Sequence, residues 1–250
     1  MRADQLLVAR GLAATRSQAQ RVLAANGVQV LKNGIWRTIA KGAGLLEDAQ
    51  IKLVNADELK YVSRGGLKLA SALTYTKHSL VNHTVLDVGQ STGGFTDCAL
   101  QHGAASVVGV DVGHGQLAAS LRNDTRVTCI EGINARQLST SDLGELYPTT
   151  GFNTIVGDVS FISMSLILPN LVSLLAPAGR LLFLIKPQFE LQPEHIGAGG
   201  IVRDAAHYGL VEHRIKNACS ELGLTVLDYF ASPITGGDGN REFFVFARKE

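Results

Sequence analysis

The sequence predicts an α/β chain preceded by a smaller α+β module, on three observations. From residue 84 onward, short apolar runs alternate with stretches of helical period, the pattern of a parallel, doubly wound sheet. The first of those runs ends in a carboxylate and a turn with three glycines, LDVGQSTGGFTD at 86–97, at the strand end where such sheets take their ligands. The charge is also uneven. The chain is +1 over 250 residues but +6 over residues 1–46, where Arg2, Arg10, Arg16, Arg21, Lys32, Arg37 and Lys41 face Asp4 alone, and −5 over the rest. Two modules, 1–58 and 59–250, account for that division.

In the front module, Thr15 and Gln18 have capping-box spacing. Ala19, Val22, Leu23 and Asn26 keep a helical period, and Gly27 supplies a stop. Helices are therefore expected over roughly 3–10 and 16–26. In VQVLKNGIWR, alternation and the Asn33-Gly34 pair predict a strand and a tight hairpin turn. Short helices carrying Arg10, Arg16 and Arg21 could present guanidinium groups to a phosphate backbone, which their fork geometry and permanent charge suit. The alternative is a solvated basic face. RADQLLVARGLAATRSQAQRVLAANGVQV resembles the small RNA-binding domain named after ribosomal small-subunit protein four, over about the first 55 residues. That resemblance implies RNA contacts from Arg2, Arg10, Arg16, Arg21 and Lys32, with Arg64 just beyond. Lys32-Asn33 stands where such domains often carry an acidic or glycine-containing turn.

In the larger module, TVLDVG, SVVGVDV, VTCIEG, FNTIVGDVS and RLLFLIKP are candidate buried strands. LTVLDYFA and EFFVFARK, joined by the turn-rich SPITGGDGNR, are expected to pair as an antiparallel hairpin. The apolar region from Ile162 to Ile185 is broken by Pro169, Asn170, Pro177 and Arg180, so it reads as a core helix followed by a strand and not as a membrane span. The apolar run in MRADQLLVARG is too short for a secretory signal, which makes the cytoplasm the expected location and membrane association unexpected. Cys98, Cys129 and Cys219 neither cluster nor make an even count, and read as reduced core residues. The seven histidines show no ligand spacing, so no metal is expected.

Gly89, Gly93 and Gly94 let the chain turn sharply and let a ligand touch the backbone, and a helix opening at Phe95 offers its free amides. A dinucleotide calls for G-x-G-x-x-G, whereas the spacing here is G-x-x-x-G-G. Asp111 follows by about the 20 residues expected of an acid that grips ribose hydroxyls. A nucleoside cofactor without a pyrophosphate fits both features. S-adenosylmethionine is such a ligand, and Asp87, the turn and Asp111 stand where class I methyltransferases have theirs. The alternative is a tight strand–helix turn of the kind any α/β protein can contain.

Four polar residues trace to one rim of the predicted sheet. Asp158 and Lys186 follow parallel strands, Glu242 opens the last strand of the hairpin, and Lys68 sits near the start of the helix GGLKLASALTYT that leads into the first strand. Singly, each reads as a turn former, an edge charge or a solvated lysine. Together they resemble the K-D-K-E tetrad of FtsJ-like RNA 2′-O-methyltransferases. A ribose hydroxyl is a poor nucleophile near neutral pH, so a lysine must stabilise its anion or take its proton, with carboxylates holding the lysines in place.

YVSRGGLKL, LDVGQSTGGFTD, VDVGHGQL, GDVSFIS, IKPQFE and GNREF, in that order, resemble the TlyA family over nearly the whole chain. The resemblance implies a class I, Rossmann-like methyltransferase with a seven-stranded, mostly parallel sheet, fused to the RNA-binding module. It also implies methylation of cytidine 2′-hydroxyls in ribosomal RNA, with ribosomal RNA or subunits as partner. The implied catalytic residues are Lys68, Asp158, Lys186 and Glu242. The implied S-adenosylmethionine contacts are Asp87, Gly89, Ser91, Thr92, Gly93, Gly94, Phe95, Asp111, Val112, Gln116, Asn134, Ala135 and Asp158. INAR at 133–136 departs from the family, many members of which have a threonine before the asparagine. HIGAGGIVRD at 195–204 is either a loop that closes over substrate or a long connector.

Rival readings are a base methyltransferase, a haemolysin or other membrane-active protein, and a non-catalytic RNA-binding factor. Base-nitrogen sites commonly carry an aromatic beside a polar-Pro-Pro motif, and base-carbon sites usually a cysteine nucleophile. Neither is evident here.

Overall fold

The computed structural model describes residues 1–250. It divides into two compact units, Met1–Leu67 and Lys68–Glu250.

In the first unit, α1 (Ala3–Ala9) and α2 (Arg16–Ala24) pack against an antiparallel sheet of β1 (Val28–Lys32), β2 (Ile35–Thr38) and β3 (Ile51–Leu53), ordered β2-β1-β3. Ala3, Leu6 and Leu7 of α1 and Ala19, Val22 and Leu23 of α2 recur at helical spacing and are buried with Val28 and Val30. Thr15 caps α2 by accepting from the Gln18 amide at 3.2 Å. The box stays half closed, because the Gln18 carbonyl takes the Ala14 amide instead and its NH2 donates to the Tyr61 carbonyl. The helix stops two residues earlier than expected. Asn26 takes the left-handed turn (φ 56°), and Gly27 N–H reaches back to the Val22 carbonyl, a Schellman ending. At the hairpin tip Asn33 and Gly34 both have positive φ, as a type I′ turn requires. Arg21 donates to the carbonyls of Glu58 and Tyr61, so the compact unit continues past residue 58.

The unit boundary falls in the first turns of α3 (Arg64–Thr76). Beyond it, β4 (Thr84–Val88), α4 (Gly94–Gln101), β5 (Ser106–Asp111), α5 (Ala119–Arg122), β6 (Val127–Glu131), α6 (Thr140–Leu143) and β7 (Phe152–Gly157) alternate as the periodicity predicts. Then come α7 (Met164–Leu174), β8 (Leu175–Ile185), α8 (Pro187–Glu190), α9 (Ala206–Glu221), β9 (Leu224–Ala231) and β10 (Phe243–Lys249). The sheet order is β6-β5-β4-β7-β8-β10-β9. All neighbours are parallel except β10, which runs antiparallel to both β8 and β9. β8 begins at Leu175, ahead of the expected Arg180, because Leu175 pairs with Phe152 before the register jumps to Arg180 opposite Thr154. The core is the apolar layer of strand residues such as Leu86, Val110, Ile155 and Phe183 with the buried side of α7 and α9. Cys98 and Cys219 are buried, Cys129 is partly so, and none of the three forms a disulfide. No helix is long and apolar enough to cross a membrane.

Candidate active site

Chain order runs from β4 outward to β5 and β6, then returns to the other side of β4 with β7. Ligands of open α/β sheets sit at such a reversal, beyond the carboxyl ends of the strands. There Gly89 leaves β4 with φ 81°, and a Cβ at this position would lie 2.7 Å from the Asp158 carbonyl oxygen. The Asp158 amide in turn donates to the Val88 carbonyl at 3.1 Å, locking the ends of β4 and β7 together. Beneath the turn, Asp87 is fully buried and accepts the Thr96 hydroxyl at 2.7 Å, while the Gln90 side chain donates to Thr96. Burial pushes the Asp87 carboxyl up to about 7 against the pull of the Thr96 bond, and its Oδ1 has no partner.

At the end of β5 the Asp111 carboxylate is fixed by two amides, Ser91 N–H on Oδ2 and Gly113 N–H on Oδ1, each at 2.7 Å. The Ser91 hydroxyl donates to Gln116 at 3.1 Å. The strand ends enclose a cavity of about 520 Å³. Of the expected cofactor residues, Gly89, Ser91, Asp111, Val112, Gln116, Asn134, Ala135 and Asp158 line it. Asp87, Gly93, Gly94 and Phe95 lie buried outside that lining, and Thr92 is exposed beside it. Sequence reasoning missed Val110, Ile133, Val159, Ser160, Phe161 and Ile162, which complete the wall. Phe161 stands out, at 90% exposure with φ 65° and its ring 5.1 Å from that of Phe189.

A nucleoside carrying no pyrophosphate fits this donor and acceptor set. The fixed Asp111 oxygens keep lone pairs for a ribose diol. Val112, Ile133 and Ala135 offer apolar surface for a base, and the volume lies in the range of small-molecule sites.

The four charged residues of the predicted rim form two close pairs. Phe243 pairs with Ile185, so Glu242 stands level with Lys186 across adjacent strands. Lys186 Nζ lies 2.6 Å from Asp158 Oδ1 and donates to Ser160 Oγ at 2.7 Å. Ser160 follows Asp158 by two residues, and only its position in GDVSFIS could have pointed to it. Lys68, on the second turn of α3, lies 2.5 Å from Glu242 Oε2, with side chains 10% and 2% exposed. Burial raises the Glu242 carboxyl, Lys68 opposes that rise, and Asp158 and Lys186 also act on it across the rim.

The six expected RNA-contacting cations differ in placement. Arg2 and Arg16 are about half exposed (48% and 55%) but donate to Asp4 at 3.0 and 2.8 Å, and Gln20 adds a third donor. Hydrogen bonds from Arg2, Arg16 and Gln20 hold the enclosed Asp4 carboxyl far below the usual carboxylate range. Arg21 is turned inward on the Glu58 and Tyr61 carbonyls and the Glu58 carboxylate, because carbonyls of the 58–62 segment converge on it. Arg10 donates to the Ala49 and Glu47 carbonyls. Lys32 at the hairpin and Arg64 at the start of α3 are exposed.

The profile of the FtsJ-like methyltransferase family matches residues 61–249. The 16S/23S rRNA (cytidine-2′-O)-methyltransferase TlyA of Mycobacterium tuberculosis is 37% identical over 249 residues, covering 100% of this chain and 90% of its own. YqxC of Bacillus subtilis, provisionally named an rRNA methyltransferase, is 45% identical over 98% of this chain and 84% of its own. A solved structure from Streptococcus thermophilus, provisionally named a hemolysin, is 40% identical and superposes with a TM-score of 0.75, covering 100% of this chain and 88% of that one.

Proposed function

Because the chain belongs to the FtsJ-like methyltransferase family, whose methyl donor is S-adenosylmethionine, we propose that it methylates a ribose 2′-hydroxyl of ribosomal RNA, a cytidine by its likeness to TlyA. The observation that carries this reading is the pairing of Lys186 with Asp158 and of Lys68 with Glu242 at the edge of a nucleoside-sized cavity. When bound, S-adenosylmethionine supplies an electrophilic methyl group on sulfur. Gly89 would give its backbone room, Asp111 would hold its ribose hydroxyls, and Val112, Ile133 and Ala135 would flank its base.

The remaining work falls to the rim. For a 2′-oxygen to accept that methyl group, its proton would have to leave. Lys186, held by Asp158 and Ser160, either takes that proton or stabilises the developing alkoxide as a fixed cation. Glu242 holds Lys68, so that a second ammonium faces the same oxygen. In this reading the front unit anchors a cytoplasmic enzyme to RNA through the exposed faces of Arg2, Arg16, Lys32 and Arg64. Free ribosomal RNA and assembled subunits both offer the phosphate backbone it requires.

The test is transfer of labelled methyl groups to ribosomal RNA and subunits from cells lacking the protein, followed by mass spectrometry of the nucleosides. A methylated ribose is expected. Methylation on a base, or no transfer to either substrate, would overturn the proposal.

A further inference from the structure

Three consecutive residues before β10 have three different environments. Asn240 is buried, accepts from the Val202 amide at 3.0 Å and donates to the Gly200 carbonyl at 2.9 Å, which ties the 197–204 loop to this strand. Glu242 is buried on Lys68. Arg241 between them is exposed and takes part in none of the chain's ion pairs. Its guanidinium lies over two rings, 5.5 Å from the centroid of Tyr208 and 5.9 Å from that of Phe243. Those rings are 5.3 Å apart, and Phe243 stacks on Tyr229 at 5.4 Å. An arginine on a flexible surface loop pays rotamer entropy on meeting a partner. This one has an anchored backbone on both sides and an aromatic bed beneath it, so its fork of N–H donors is set in advance.

A cation placed in that way, one residue from Glu242 and without a carboxylate of its own, suits a ligand that brings negative charge. Building on the ribose-methyltransferase reading, we infer that Arg241 is a substrate-binding residue that grips a phosphodiester group flanking the target ribose. Strand alternation turns its side chain away from Glu242, toward the α9 side of the sheet, where Tyr208 lies. Arg241 therefore positions the RNA backbone, while Lys186 and Lys68 act on the sugar.

The experiment compares the full-length chain with Arg241→Ala and Arg241→Lys on ribosomal subunits from cells lacking the protein, measuring KM, single-turnover rate and the salt dependence of kcat/KM. Arg241→Ala should raise KM about tenfold, the loss of one charge-assisted contact. It should flatten the slope of log kcat/KM against log salt by about one, and change the single-turnover rate at saturating subunits less than about threefold. Arg241→Lys should keep the slope while KM falls between the two, because the charge remains but the planar fork is lost. An unchanged KM and slope in Arg241→Ala would overturn the assignment. So would a loss confined to the single-turnover rate, which would make Arg241 a support for Glu242. If the unsubstituted chain transfers no methyl group to ribose, the methyltransferase reading fails, and that outcome is separate from either result with the variants.

Discussion

Two clusters of enclosed charge, one in each unit, are built from similar groups to different ends. Around Asp4 the donors Arg2, Arg16 and Gln20 lie within 16 residues of the carboxylate and hold its carboxyl far below the usual range. At the sheet rim two lysines meet two carboxylates drawn from positions 68, 158, 186 and 242, and burial drives the Glu242 carboxyl upward. In the first case partners outweigh enclosure, so the ionised state helps hold the fold. In the second, enclosure outweighs partners at Glu242, a balance that sites acting on a substrate commonly show. If the rim is the reactive site proposed above, the balance between burial and partners, more than the number of ion pairs, is what distinguishes it from the Asp4 cluster.

The strongest way to break this contrast is at Lys186. Lys186→Ala should bind cofactor and RNA nearly normally yet lose methyl transfer by at least about 100-fold in single turnover at saturating substrates. Lys186→Arg should be nearly as poor, because guanidinium does not replace a compact ammonium that can give up a proton. A wild-type rate in Lys186→Ala would reduce the rim to a second structural cluster. Next in size, Asp111→Ala should weaken S-adenosylmethionine binding by roughly one to two orders of magnitude, about 1.5–3 kcal/mol, in a chain that still folds. Unchanged affinity by calorimetry would remove Asp111 from the cofactor site.

Two smaller effects sharpen the contrast through pH. The folded Asp87 carboxyl is raised to about 7, so its protonated form favours the folded state. Stability from this group is full below the unfolded value near 4 and is lost as pH rises through about 7. His78, lowered to about 4 by burial, has the opposite slope below its ordinary value, so the variant must be compared with the wild type at each pH. Asp87→Asn should gain several degrees in Tm relative to wild type between pH 5 and pH 8, and a constant difference would refute the Asp87 assignment. Asp4 has the opposite sign. Its depressed carboxyl contributes stability above about pH 4 that fades as the solution is acidified. Asp4→Asn should therefore melt a few degrees lower at neutral pH and converge on wild type in acid. A deficit independent of pH would mean that shape, and not charge, is what Asp4 supplies.

Much of this molecule could be read before its structure was known, for reasons that differ by residue. The strands of the large sheet are continuous apolar runs because both faces are buried. Asn33-Gly34 marks its own turn because few pairs accept two positive φ angles. The shared rim was legible because strand direction places Asp158 and Lys186 at one end of the sheet, and the helix leading into the first strand and the final hairpin bring Lys68 and Glu242 back to it. Side-chain partners were not legible. Asp4, the one acid among seven cations, gave no sign that it would draw in Arg2 and Arg16, nor Arg21 that it would turn to carbonyls around residue 60. Asp87 opens the glycine motif in sequence yet lies under it in space, because a strand residue two before the turn points into the sheet's packing layer.

The placement of β10 between β8 and β9 sets the order in which the enzyme can be made. β10, which follows Glu242, comes after β9 in the chain yet lies inside the sheet, and β9 has no other strand to pair with. A nascent chain that has emerged as far as β9 lacks Glu242 and cannot close Lys68 into its pair. Such long-range pairing belongs to the slower folding steps. The Lys68–Glu242 pair therefore forms only after β10 has been made and inserted between β8 and β9.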